Sequence, residues 1–203
     1  MSINLLTDKL PSAVFIRGKA YPVFTDFRHW IRFFAMLDSD NSSKKKAICA
    51  LRWYKSDIPD SISEAVDALI SFARCDESPG EPTEDELGRA ECAAELATAA
   101  KDFDWSFDSG YILGAFLQAY HIDLTVTKMH WYKFHALLAA LPEDTLLKKR
   151  IYYRGIRIGS IKDDAQRAEI MRIQDAIRIP APELTAEQIG STFGAAMTFQ
   201  KEV

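Results

Sequence analysis

The sequence predicts a mainly α-helical domain of about six to eight helices preceded by one small β-hairpin. Apolar residues recur at three- and four-residue steps along most of the chain, whereas only one pair of short β-prone runs is present, near the N-terminus. Hydrophobic residues make up 48% of 203, enough apolar surface to offset the entropy of ordering the chain. Residues 1–178 are expected to form this single domain. Residues 179–203, rich in Ala, Gly and Thr, read as a loose or partner-ordered tail.

The elements follow in order. Residues 12–25 (SAVFIRGKAYPVFT) read as the hairpin, turning at Arg17-Gly18-Lys19, where Gly18 can take a positive φ. Pro22 cannot donate to a ladder, so the second arm is an edge or is very short. Thr25 or Asp26 then caps a helix with Phe27, Trp30, Ile31, Phe34 and Leu37 on one face. A second helix is expected over 43–55, burying Ile48, Leu51 and Trp53 or Tyr54, and a third over 61–74 with Ile62, Val66, Leu69 and Phe72 or Ala73 inward. The loop 76–83 (DESPGEPT) leads to an alanine-rich helix from Thr83 or Glu84 towards Lys101. Residues 76–108 hold eleven acids against Arg89 and Lys101, a charge of −9 in a chain whose formal total is only −4. Such a block reads as a solvated face or as the complement of a basic partner.

After it, FDSGYILGAFLQAYHID forms a well-buried helix capped by Asp108 or Ser109, with Ile112, Phe116, Leu113 and Leu117 in a wide stripe. Thr125 or Thr127 is expected to cap the next helix, which carries His130, Phe134, Leu137, Leu138 and Leu141, and the two should pair antiparallel. A short helix over 144–153, an extended RIGSI segment bracketed by Gly155 and Gly159, and an amphipathic helix from Lys162 to about Ile177 complete the domain.

Motifs for chemistry are missing from the chain. It has no GxSxG, HExxH, GxxxxGK[ST] or GxGxxG. Cys49, Cys75 and Cys92 match neither a disulfide framework nor a CxxC zinc site, which suits a reducing cytoplasm. His130 and His135 are five residues apart and point to different faces of a helix, so no metal site is expected from His29, His121, His130 and His135. Asp104 and Asp108 stand at i,i+4, but an EF-hand starting at Asp102 fails because Phe107 and Leu113 fall at its sixth and twelfth positions. The simpler reading is that these acids cap or charge the following helix. A non-enzymatic protein with no cofactor is therefore expected. No stretch approaches the roughly 18–20 apolar residues of a membrane span, and no basic-then-apolar leader opens the chain.

The one basic run, Lys148-Lys149-Arg150 with Arg154, Arg157 and Lys162, has Tyr152 and Tyr153 interleaved and is the candidate nucleic-acid surface. In an acidic chain of pI about 5.6 it is better explained by pairing with the acidic stretch or with a protein partner.

Three stretches, LPSAVFIRGKAYPVFTDFRHWIRF, DSGYILGAFLQAYHIDLT and MHWYKFHALLAALPEDTLLKKRIYYRGIRI, resemble the tailed-phage family known as gene product fifteen. The match rests on Asp26, Phe27 and Arg28, then Ala115, Phe116, Tyr120, Ile122, Asp123 and Leu124, then His130, Trp131, Phe134, Leu137, Leu138 and Pro142. Gly114 and His121 depart from it, standing where Ala and Gly are more usual. A His in a left-handed cap position would be strained.

The resemblance implies a tail assembly chaperone, or else a minor structural tail or connector protein, with the tape-measure and tail tube proteins as partners. It places the chain in the host bacterial cytoplasm during assembly and leaves self-association open. Nucleic-acid binding is the more distant alternative, and no membrane partner is implied. A chaperone would present apolar anchors ringed by charge, for which Trp30, Trp53, Trp131 and Tyr132 are the aromatic candidates and Lys148, Lys149 and Arg150 the basic ones.

Overall fold

The structure is a computed structural model that describes residues 4–39, 41–75 and 102–180. The acidic loop and helix expected over 76–101, and the tail from 181 onward, lie outside the described residues. Among those described there are two strands and seven α-helices: β1 (Ala13–Ile16), β2 (Lys19–Pro22), α1 (Phe27–Asp38), α2 (Ser43–Ala50), α3 (Ile62–Ala73), α4 (Ser109–Tyr120), α5 (Trp131–Ala139), α6 (Leu146–Gly155) and α7 (Asp164–Ile177). No described helix is long and apolar enough to cross a membrane.

The hairpin closes through the two residues Arg17 and Gly18, both at positive φ (51° and 79°), the mirror-image turn whose twist suits paired strands. Val14 and Tyr21 face each other across it and are buried, and Pro22 ends β2. Asp26 caps α1, its carboxylate accepting from the Arg28 N–H at 3.0 Å. Ser61 caps α3 in the same way.

Six expectations are corrected. The helix over 43–55 stops at Ala50, and Leu51–Trp53 tighten into a single 3₁₀ turn. The strand-like stretch after the hairpin causes this: the Phe24 N–H donates to Trp53 O and the Lys55 N–H to Pro22 O, so residues 53–55 leave the helix to pair there. Ile48 is consequently 52% exposed, while Ala50 and Tyr54 take the buried places. Ile62, at the first turn of α3, is exposed as well.

The helix expected from Thr125 or Thr127 begins only at Trp131. Here the Phe27 N–H donates to Met129 O and the Trp131 N–H to Thr25 O, holding residues 129–131 extended against the entry to α1. His130 then serves as the cap, its Nδ1 accepting from the Tyr132 N–H at 3.1 Å. RIGSI is not extended throughout, because Ile158–Ser160 form one 3₁₀ turn. Nor are α4 and α5 each other's principal neighbour, since α5 packs chiefly on α1 and α4 on α6. They meet through the Phe116 and Phe134 rings, stacked 5.1 Å apart, and a Tyr120 hydroxyl that donates to Leu137 O.

The core is aromatic and crosses the element boundaries. Trp30 stacks on Phe72 of α3 at 4.8 Å, Phe27 on Phe134 of α5 at 4.6 Å, and Trp131 lies 6.3 Å from Trp30. Each ring removes a large apolar area from water, and offset or edge contacts add further attraction. The indole N–H groups of Trp30, Trp53 and Trp131 donate to Phe24 O, His29 O and Ala73 O, each at 2.8 Å. None of these three tryptophans is therefore left with an unmet donor.

Candidate functional site

The segment just before α4 is built by two aspartates. Asp104 Oδ1 accepts from the Ser106 and Phe107 N–H groups at 2.8 and 2.7 Å, a local turn that closes DFDWSFD on itself. Asp108 is fully buried and its carboxylate takes the Asp104 N–H at 3.0 Å. The same carboxylate receives Arg154 of α6 in a two-pronged pair, Nη1 to Oδ2 at 2.7 Å and Nη2 to Oδ1 at 2.9 Å. Arg154 further donates to Asp102 O and to Ile177 O at the end of α7. Arg150 lies over the Tyr111 ring, 4.1 Å from guanidinium to centroid, with its Nε 3.5 Å from Asp108 Oδ1.

With that turn pinned, Phe103 and Trp105 are carried across the body beside Phe34 of α1. The Trp105 ring stacks on Phe34 at 5.8 Å and meets Phe103 edge-on at 4.8 Å. Together with Leu138 of α5 and Ile151 of α6 they wall an open groove of about 430 Å³, underlain by the buried Trp131 and Leu147. Among the described residues its polar lining consists of Arg74, His135 and Lys148, with no carboxylate among the described lining side chains.

Of the proposed aromatic anchors, Trp131 underlies this groove as a buried floor, and Trp30, Trp53 and Tyr132 are not among its lining residues. Trp30 and Trp131 are 0% exposed and Tyr132 is 5% exposed, so these three are core residues and not surface anchors. Trp53 is half-buried with its indole N–H spent on His29 O. The largest rings are placed inside because they bury the most apolar area. The basic run is also divided. Lys149 is exposed, Lys148 sits at the groove rim 3.5 Å from Glu143, and Arg150 turns inward to Asp108. Consecutive residues on a helix point about 100° apart, so the three do not share one face.

The charge pairing expected for this run occurs through Arg150 and Arg154 on Asp108, the last acid of the acidic block. Phe103, Trp105 and Arg74 escaped the sequence reading as site residues. The alternation of rings and acids in DFDWSFD was the signal available. Among the described residues no group of three or more His, Cys, Asp or Glu is placed to hold a metal ion.

A family model described as "Bacteriophage Gp15 protein" matches residues 6–179. The chain belongs to the bacteriophage Gp15 protein family. No curated protein matches it, and no solved structure does. The Gp15 match runs from ahead of the hairpin to just past α7, so every described element, and every residue lining the groove, falls within it.

Proposed function

We propose that this Gp15-family protein is a non-enzymatic tail assembly chaperone, which holds the tape-measure protein, the tail tube protein or both in the host cytoplasm until the tail is built. Membership of a bacteriophage family supplies the setting. The observation that carries the reading is the groove beside Trp105, where rings from two separate segments and aliphatic side chains from α5 and α6 form an apolar surface under a basic rim. Contiguous apolar surface rimmed by charge is what a protein offers to another protein. An aggregation-prone client is kept soluble when its own apolar stripe is covered in this way.

Co-expression with the tape-measure and tail tube proteins of the same phage, followed by affinity capture on this chain, tests the proposal. Retention of either client at low salt, together with depletion of this chain from purified virions by mass spectrometry, is the expected result. A fixed copy number in virions would make it a structural tail component instead. Failure to retain either protein would remove the chaperone reading.

A further inference from the structure

We infer that the groove's occupant is an amphipathic α-helix of a client protein carrying Asp or Glu beside its apolar stripe. The inference rests on the chaperone reading for the identity of the client, while its chemistry comes from the groove. Among the described residues the rim is basic: its polar side chains are Arg74, His135 and Lys148, the last 3.5 Å from Glu143 just outside the lining, and no described lining residue is acidic. A helix with carboxylates flanking its stripe meets that rim with attraction, whereas one with lysines there meets repulsion.

Trp105 adds a second, independent sign. Of the four tryptophans it alone has no acceptor for its indole N–H among the described residues, the other three being bound to backbone carbonyls. A half-buried indole of this kind offers a donor to an incoming carboxylate or helix-end carbonyl. The distribution of polarity supplies the third. A small-molecule pocket places a few polar groups on its floor to orient the ligand. Here the floor is Trp131 and Leu147, with polarity confined to the rim. That is the pattern which takes apolar anchors at i, i+3, i+4 and i+7, about 10 Å of helix at 1.5 Å per residue.

The experiment uses the full chain and two fluorescently labelled synthetic helices that share one leucine stripe, one flanked by Glu and one by Lys, read by anisotropy. The Glu-flanked peptide is expected to bind about tenfold more tightly at low salt, with the difference shrinking as salt rises. Arg74→Glu with Lys148→Glu should reverse the preference. Trp105→Ala and Leu138→Ala should each weaken both peptides, with circular dichroism confirming that the variants fold.

Equal affinity for the two peptides would overturn the charge assignment, and indifference to Trp105→Ala and Leu138→Ala would overturn the location. Binding seen only after deletion of residues 76–101 would assign the groove to an occupant from within the chain and would equally overturn the proposal. Capture of a tail protein without peptide preference would sink this inference and leave the chaperone reading standing. Peptide preference without capture would do the reverse.

Discussion

His130 does two jobs with one neutral ring. Nδ1 accepts the Tyr132 N–H that opens α5, which requires Nε2 to carry the proton and donate it to Pro11 O at 2.8 Å. Burial pushes the His130 pKa below its ordinary value, outweighing the hydrogen bond to Pro11, and burial lowers that of His29 as well. A lowered imidazole pKa means that the unfolded chain takes up the proton first. The contribution to stability is therefore complete above the unfolded value of about 6.5 and is lost as pH falls from there through the folded value. The thermal midpoint should decline between about pH 7.5 and 5.5. His130→Asn, which keeps a capping oxygen but does not titrate, should show a shallower decline. An unchanged slope would remove His130 from the account. His121 is a simpler case: it ends α4 at φ 54°, where a side chain is strained, and it is exposed. His121→Gly should raise stability by about 1 kcal/mol in urea titration.

At the scale of elements, Asp108 joins three helices that the chain order separates. Its carboxylate sits at the start of α4, grips Arg154 of α6, and through that guanidinium reaches Ile177 O at the end of α7. α7 buries no residue fully, and this tie, with Gln174 donating to Tyr153 O and Ile156 O, adds to the packing of its half-buried Ile170, Ile173 and Ile177. Asp108→Ala should destabilise by about 3–5 kcal/mol, since it strands Arg154 inside the protein. The exposed Lys149→Ala should change stability by less than about 0.5 kcal/mol, and denaturant midpoints would separate the two. These cases mark what sequence can reveal. Helix starts governed by a neighbouring side chain, such as Asp26 and Ser61, were legible because the cap lies within three residues of what it caps. The end of α2 and the start of α5 were not, because Trp53–Lys55 and Met129–Trp131 follow backbone partners at Pro22–Phe27. The Asp108–Arg154 pair, 46 residues apart, leaves no local trace.

Under the proposed function, stability and binding are divided between rings of the same kind across the whole molecule. Periodicity showed that the aromatic residues share faces, but three-dimensional packing decides which ones end at a boundary. Trp30, Trp131 and Tyr132 went to the centre, leaving Phe34, Phe103 and Trp105 at the groove. Trp131 is fully buried, donates to Ala73 O and contacts the rings of Trp30, Phe34, Trp105 and Phe134. Trp131→Ala should therefore lose about 3–5 kcal/mol, much of the margin available to a domain of this size. Trp105 is half-buried, so its removal should lower stability by a smaller amount while stripping one wall from the groove. Measured together, Trp105→Ala should fold, with a denaturation midpoint nearer the unsubstituted protein than that of Trp131→Ala, and should fail to retain the proposed tail-protein client at low salt. If the two variants instead lose capture only in proportion to their loss of folded protein, then Trp105 is one more core residue and the client is held elsewhere.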